Sequence, residues 1–184
     1  MIFTPVPIHG AFLIDLEPIA DDRGSFARAF CRREFAEAGI EFDVVQCNLA
    51  RSKSAGVVRG LHYQRSPADE RKLVRCVAGS IFDVIADLRP DSPTFRQAWW
   101  TELDTIERRA LLIPPGVAHG YQSLEDGTEV FYMTDQYYTP ELETGVRFDD
   151  PVLGIPWPLP AGDVSPRDRR WPLLQAAEAR GDGA

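Results

Sequence analysis

A chain of 184 residues, 44% of them hydrophobic, can bury one full core and has no need of a second. Its formal net charge of −8 works against non-specific attraction to nucleic acid or to an anionic membrane, yet leaves room for a small anionic ligand in a locally basic pocket. No apolar run reaches the length of about 18 residues that a membrane span needs, and the opening MIFTPVPIHG lacks the charged head and apolar centre of a signal peptide.

A single globular domain over residues 1–184 is therefore expected, cytoplasmic, with no nucleic-acid or membrane partner. Cys31, Cys47 and Cys76 are widely spaced and form no CxxC pair, so reduced thiols are expected rather than a zinc or redox site.

Along the chain, short runs rich in β-branched and aromatic residues are separated by Gly, Pro and Asp turn signals. They are FLIDL, FDVVQCNL, VVRGLHYQ, KLVRCV, SIFDVIADL, AWWTEL, ALLI and TEVFYMTDQYY. Many short strands at such spacing predict a mainly β sandwich or barrel. The run Lys72-Leu73-Val74-Arg75-Cys76-Val77 predicts a strand with polar side chains on one face and apolar ones on the other, the polar face lining a cavity if the sheet closes. Helical pattern is confined to about 32–38 and to 173–180, and residues 180–184 are expected to fray. No repeat, low-complexity stretch or interdomain linker interrupts this order.

Pro114-Pro115-Gly116-Val117-Ala118-His119 is a rigid turn feeding a strand that carries a histidine. With Gly60-Leu61-His62 it resembles the paired motifs of the cupin barrel. Metal-binding cupins offer a His-x-His pair, whereas the second position here is Gln64 and the only other histidine is His9. A facial metal triad is hard to assemble from these residues, and no metal is expected.

Enolisation beside a carbonyl needs a base on one face of the carbon, an acid on the other, and positive charge where the oxyanion develops. His62, a side chain type whose ordinary pKa lies near neutrality, is a candidate base. Tyr132 is a candidate acid, and Lys72, one of only two lysines among twenty basic residues, a candidate for the oxygen. Asp168 is a candidate to orient the imidazole. Taken singly, each has a plainer reading: a core histidine, a packed strand tyrosine, a solvated lysine and a charged turn.

Together they resemble something more specific. The segments Asp22-Arg23-Gly24-Ser25-Phe26, Gln46-Cys47-Asn48, Gly56 to Gln64, Lys72 to Cys76, Asp83 to Arg89, Ile113 to Gly120 and Ser165-Pro166-Arg167-Asp168 are similar, in the same order, to those of the dTDP-4-dehydrorhamnose 3,5-epimerase family. The resemblance implies a cupin-type jelly-roll β-barrel with short peripheral helices, a homodimer, and neither metal nor cofactor. It also implies inversion of C3 and C5 of a dTDP-linked 4-keto-6-deoxy sugar, giving dTDP-4-dehydro-L-rhamnose. The implied base is His62, its orienting carboxylate Asp168, the opposed acid Tyr132 and the enolate-stabilising cation Lys72.

Substrate-binding positions implied in the same way are Arg23, Gln46, Asn48, Arg59, His119 and Glu143, with Tyr138 stacking on the nucleobase and Phe26 as a second wall. Arginine at 23 and 59 suits a diphosphate, because the guanidinium fork matches its oxygens. In the family the Arg-Gly-x-Phe segment reaches the partner's site. The chain departs from the family pattern at Arg28 and Cys47, where glutamate and aspartate are usual, at Glu70 for glutamine, and at Arg167 for lysine, which keeps the charge for a phosphate contact. Three other outcomes stay open at this point: inversion of one carbon only, a cupin that binds a nucleotide sugar without turnover, and a metal-dependent oxygenase or isomerase.

Overall fold

The computed structural model describes residues 1–174; the expected helix at 173–180 and the frayed tail lie largely or wholly outside them. In chain order the first elements are β1 (Ile2–Pro5), β2 (Phe12–Asp15), β3 (Ile19–Asp21), β4 (Gly24–Phe26) and α1 (Arg32–Glu37). The barrel strands follow as β5 (Gln46–Arg51), β6 (Val58–Gln64), β7 (Lys72–Ala78), β8 (Ser80–Asp87), β9 (Ala98–Asp104) and β10 (Ala110–Ile113). The last are β11 (Val117–Ser123), β12 (Glu129–Thr134), β13 (Glu143–Gly145) and a short 3-10 turn at Asp168–Arg170.

These strands make two antiparallel sheets, one of six strands in the order β1-β2-β10-β7-β12-β5 and one of five in the order β13-β6-β11-β8-β9. Strands close in sequence are interleaved between partners far along the chain, which is the wrapping of a jelly roll. The barrel is of the cupin type, with little helix. A third, two-stranded sheet is the β3–β4 hairpin.

Apolar side chains form three layers. Val74, Cys76, Ile85, Leu111 and Val130 meet between the sheets. Val58, Leu61, Val84, Ala118 and Phe148 cover the outer face of the five-stranded sheet, while Phe35 of α1 packs with Leu73 and Leu112 outside the other. Burial on both faces explains why β8 reads as an almost continuous apolar run.

The expected division of β7 into a polar and an apolar face does not hold. A period of two places Lys72 with Val74 and Cys76, whereas Arg75 falls on the opposite side with Leu73. The inner face of β7 is apolar except at its first residue, so the cavity opens at that end of the strand.

The decisive local feature is in β6. Against β11, His62 pairs with His119 and Arg59 with Tyr121, so three steps on β6 match two on β11. This is a β-bulge, and it turns two side chains an odd number of residues apart to the same side. Arg59 and His62 both point inward while Val58 and Leu61 both point outward. Gly60 makes it possible: its φ is 109°, and a Cβ there would lie 2.5 Å from Gly120 Cα and 2.5 Å from the His119 carbonyl oxygen. Gly60→Ala is expected to lower stability by at least about 2 kcal/mol, read as a reduced urea midpoint at unchanged m-value.

Candidate active site

Between the sheets opens a cavity of about 610 Å³, into which Arg59, His62, Lys72, His119, Tyr132, Arg167 and Asp168 all project. It adjoins a second of about 310 Å³ that shares His62, Lys72 and Tyr132 and adds Gln46, Asn48, Tyr138 and Glu143. Thus eleven of the fourteen residues singled out in the sequence meet in one continuous space. His62 comes from the five-stranded sheet, and Tyr132 and Lys72 from the sheet facing it.

His62 Nε2 lies 2.5 Å from Asp168 Oδ1. The carboxylate comes from far along the chain, on the 3-10 turn, where its own backbone N–H donates to Ser165 Oγ at 3.0 Å. Burial pushes the Asp168 carboxyl up, but the hydrogen bond and charge of His62, with Ser165 and the Gly60 N–H, outweigh it and hold the group below its usual range. Asp168 is therefore ionised and acts as acceptor toward Nε2, which selects the tautomer in which a neutral imidazole carries its lone pair on Nδ1. That nitrogen lies 3.5 Å from Glu143 Oε1. Glu143 is itself engaged, ion-paired with Arg167 and accepting a hydrogen bond from the Tyr138 hydroxyl at 2.6 Å.

Across the cavity, Tyr132 sits on β12 in register with Asn48 on one side and Val74 on the other. Burial, then the charge of Glu70, push its phenol above the ordinary range. Lys72 Nζ is 2.9 Å from Glu70 Oε1, and the two side chains are only 15% and 9% exposed. Gln46 Nε2 donates to Asn48 Oδ1 at 3.2 Å, and the Tyr138 N–H donates to Gln46 Oε1 at 3.3 Å, which ties the aromatic to this wall. Arg59 spends one nitrogen on the Arg51 carbonyl, at 2.9 Å.

The remaining three residues are elsewhere in this chain. Arg23 pairs with Asp21 and its side chain is 90% exposed, and Phe26 is 71% exposed on the hairpin. Arg28 binds Glu34 at 2.8 Å beside the chain's own N-terminal ammonium, in a separate depression of about 160 Å³.

Sequence reasoning missed Asp83, which is fully buried and accepts from or pairs with His119 Nε2 at 2.7 Å. A signal was present: Asp83 falls between Ile81 and Ile85 on one face of an apolar strand, and a carboxylate there requires a partner. It also missed Trp171, whose ring lies 6.0 Å from His62, edge to face, and under the Arg167 guanidinium at 5.6 Å. Among the described residues no group of His, Cys, Asp or Glu is clustered to hold a metal ion.

Fold and cavity together define a cupin-type barrel in which a carboxylate-backed imidazole stands across a polar cavity from a phenol, an arrangement suited to acid–base chemistry. Comparison with known proteins makes this specific. The chain belongs to the dTDP-4-dehydrorhamnose 3,5-epimerase family, whose sequence profile matches residues 5–176. It is 40% identical to the dTDP-4-dehydrorhamnose 3,5-epimerase of Methanothermobacter thermautotrophicus, over 94% of each chain. It is also 40% identical to the dTDP-4-dehydrorhamnose 3-epimerase of Streptomyces niveus, over 100% of this chain and 87% of that one. The crystal structure of the Legionella pneumophila dTDP-6-deoxy-D-glucose-3,5-epimerase in complex with dTDP-4-keto-L-rhamnose is similar with a TM-score of 0.89 and 37% identity, covering 97% of this chain and 95% of that one.

Because the folded Asp168 carboxyl is held below its unfolded value, its stabilising contribution is full above about pH 4 and is lost as pH falls through the folded value. The stability difference between wild type and Asp168→Asn, from urea midpoints, is expected to shrink as pH falls below about 4.

Proposed function

We propose that the protein epimerises a dTDP-linked 4-keto-6-deoxyhexose at C3 and C5, by removing a proton beside the C4 ketone and returning one to the opposite face. The observation that carries this reading is the shared cavity: the His62–Asp168 pair enters it from one sheet and Tyr132 with Lys72 from the other. His62 Nδ1 is the base. The imidazolium that forms is stabilised by the buried carboxylate on its other nitrogen. Lys72 favours negative charge on the C4 oxygen, where an ammonium in a desolvated site acts far more strongly than in water. Tyr132, kept protonated by its surroundings, delivers the returning proton. Inversion follows because base and acid stand on opposite sides of the ring.

Arg59, Arg167 and His119 hold the diphosphate, and Tyr138 the nucleobase, with Gln46, Asn48 and Glu143 fixing sugar hydroxyls. Their placement in the two joined cavities supports these roles. Arg23, Phe26 and Arg28 serve the site of a second copy in a homodimer. The exposure of Arg23 and Phe26 on a hairpin separate from both main sheets supports this. Cys31, Cys47 and Cys76 are free thiols, which suits a reducing cytoplasm.

A second reading, inversion at C3 alone, is favoured by the equal identity to the 3-epimerase of S. niveus. Turnover of dTDP-4-keto-6-deoxyglucose in deuterated water, followed by NMR, separates the two: exchange at both carbons is expected, and exchange at C3 only establishes the single inversion. His62→Ala and Asp168→Asn are each expected to lower kcat by about 10²- to 10⁴-fold. A His62→Ala variant with wild-type turnover would sink the reading.

A further inference from the structure

Glu70 lies just before β7, and its carboxylate is 2.9 Å from the Lys72 ammonium, with both side chains nearly withdrawn from solvent. Residues 70 and 72 are two apart, so an extended backbone directs both to the same side, and both line the smaller cavity with His62 and Tyr132. Arg71, between them, points the other way and is fastened there. Its N–H donates to Asp135 Oδ1 at 2.7 Å and its Nη1 to Asp135 Oδ2 at 3.2 Å. Asp135 immediately follows β12, so the clamp ties the backbone between Glu70 and Lys72 to the strand that bears Tyr132.

A lysine stem has several rotatable bonds, and fixing its head costs entropy that a short charge-assisted contact offsets. The contact uses one of the three ammonium donors and leaves two for a ligand oxygen. The same carboxylate places a full negative charge beside the Tyr132 phenol. Other groups act on that phenol too: Tyr121 of β11 and Tyr138 act in the same direction as Glu70, while Arg59 of β6 opposes it.

We propose that Glu70 is a positioning residue for this reaction, pinning the Lys72 ammonium at the Tyr132 end of the cavity and setting the electrostatic field in which that phenol works. The inference rests on the epimerase reading for its kinetic consequence but not for its electrostatic one. Glu70→Gln keeps the side chain's length and an acceptor oxygen for Lys72 while removing the charge; Glu70→Ala removes both.

Two measurements on the full chain decide it. In alkaline titrations followed by phenolate absorbance, the Tyr132 component is isolated by subtracting the same protein carrying Tyr132→Phe. Its midpoint is expected to fall by about half a pH unit or more in Glu70→Gln, because a neighbouring anion no longer disfavours the phenolate. With dTDP-4-keto-6-deoxyglucose as substrate, Glu70→Ala is expected to lose about tenfold or more in kcat with KM changed less than about threefold. Glu70→Gln is expected to regain most of that kcat, with its alkaline limb moved to lower pH. An unmoved Tyr132 midpoint in Glu70→Gln overturns the inference, and so does a folded Glu70→Ala with wild-type kcat. If Glu70→Ala fails to fold, the Glu70→Gln titration decides alone. Absence of turnover by wild-type protein would instead overturn the epimerase reading, and the titration, which needs no substrate, still decides on Glu70.

Discussion

Two backbones touch where β6 crosses β11, and the chemistry of the cavity follows from that contact. Gly60 and Gly120 each lie where the other strand leaves no room for a side chain: a Cβ on Gly120 would come within 2.6 Å of the Arg59 carbonyl oxygen. With the strands this close, β6 accommodates its extra residue as a bulge, and the bulge sends Arg59 and His62 inward together. A regular strand would present only one of them to the cavity. The positive φ that this requires falls on a glycine, which has no Cβ to oppose it, between Val58 and Leu61, both buried in the outer apolar layer.

Inside the barrel, charges occur in compensated sets. Asp168 is matched to His62, Asp83 to His119, Glu70 to Lys72 and Glu143 to Arg167. Three of these sets join distant segments of the chain, while Glu70 and Lys72 are neighbours on one face of the chain entering β7. Burying a charge without such a partner would cost several kcal/mol, and these four carboxylates are each answered by a base or a cation. An acidic protein can in this way present Arg59, Arg167, Lys72 and His119 to an anionic ligand while its outer surface stays negative.

Much of this was legible in the sequence, and what was not has physical reasons. The runs SIFDVIADL, AWWTEL and ALLI correspond to β8, β9 and β10 because burial on one or both faces imposes a pattern over several residues. The strands β1, β3, β4 and β13 went unread: they are only three or four residues long, too short for a period to emerge. The face assignment in β7 failed because composition was read without parity, and Lys72 and Arg75 are an odd number apart. His62, Lys72 and Asp168 lie within the ordered motifs, whereas Tyr132 lies outside all of them and was singled out through the family resemblance they carry. The Asp83–His119 pair was not, since it depends on which residue faces which across β8 and β11, a register that no local pattern encodes.

The carboxylate behind His62 is supplied from 106 residues further along the chain. The segment that carries it reaches β6 through a single parallel bridge, Val58 to Val164, before the turn at Asp168–Arg170. The imidazole therefore acquires its orienting partner only through a contact between segments 106 residues apart, which no local structure in β6 can supply. The tautomer of the base is thus a property of the closed chain and not of the strand that bears it.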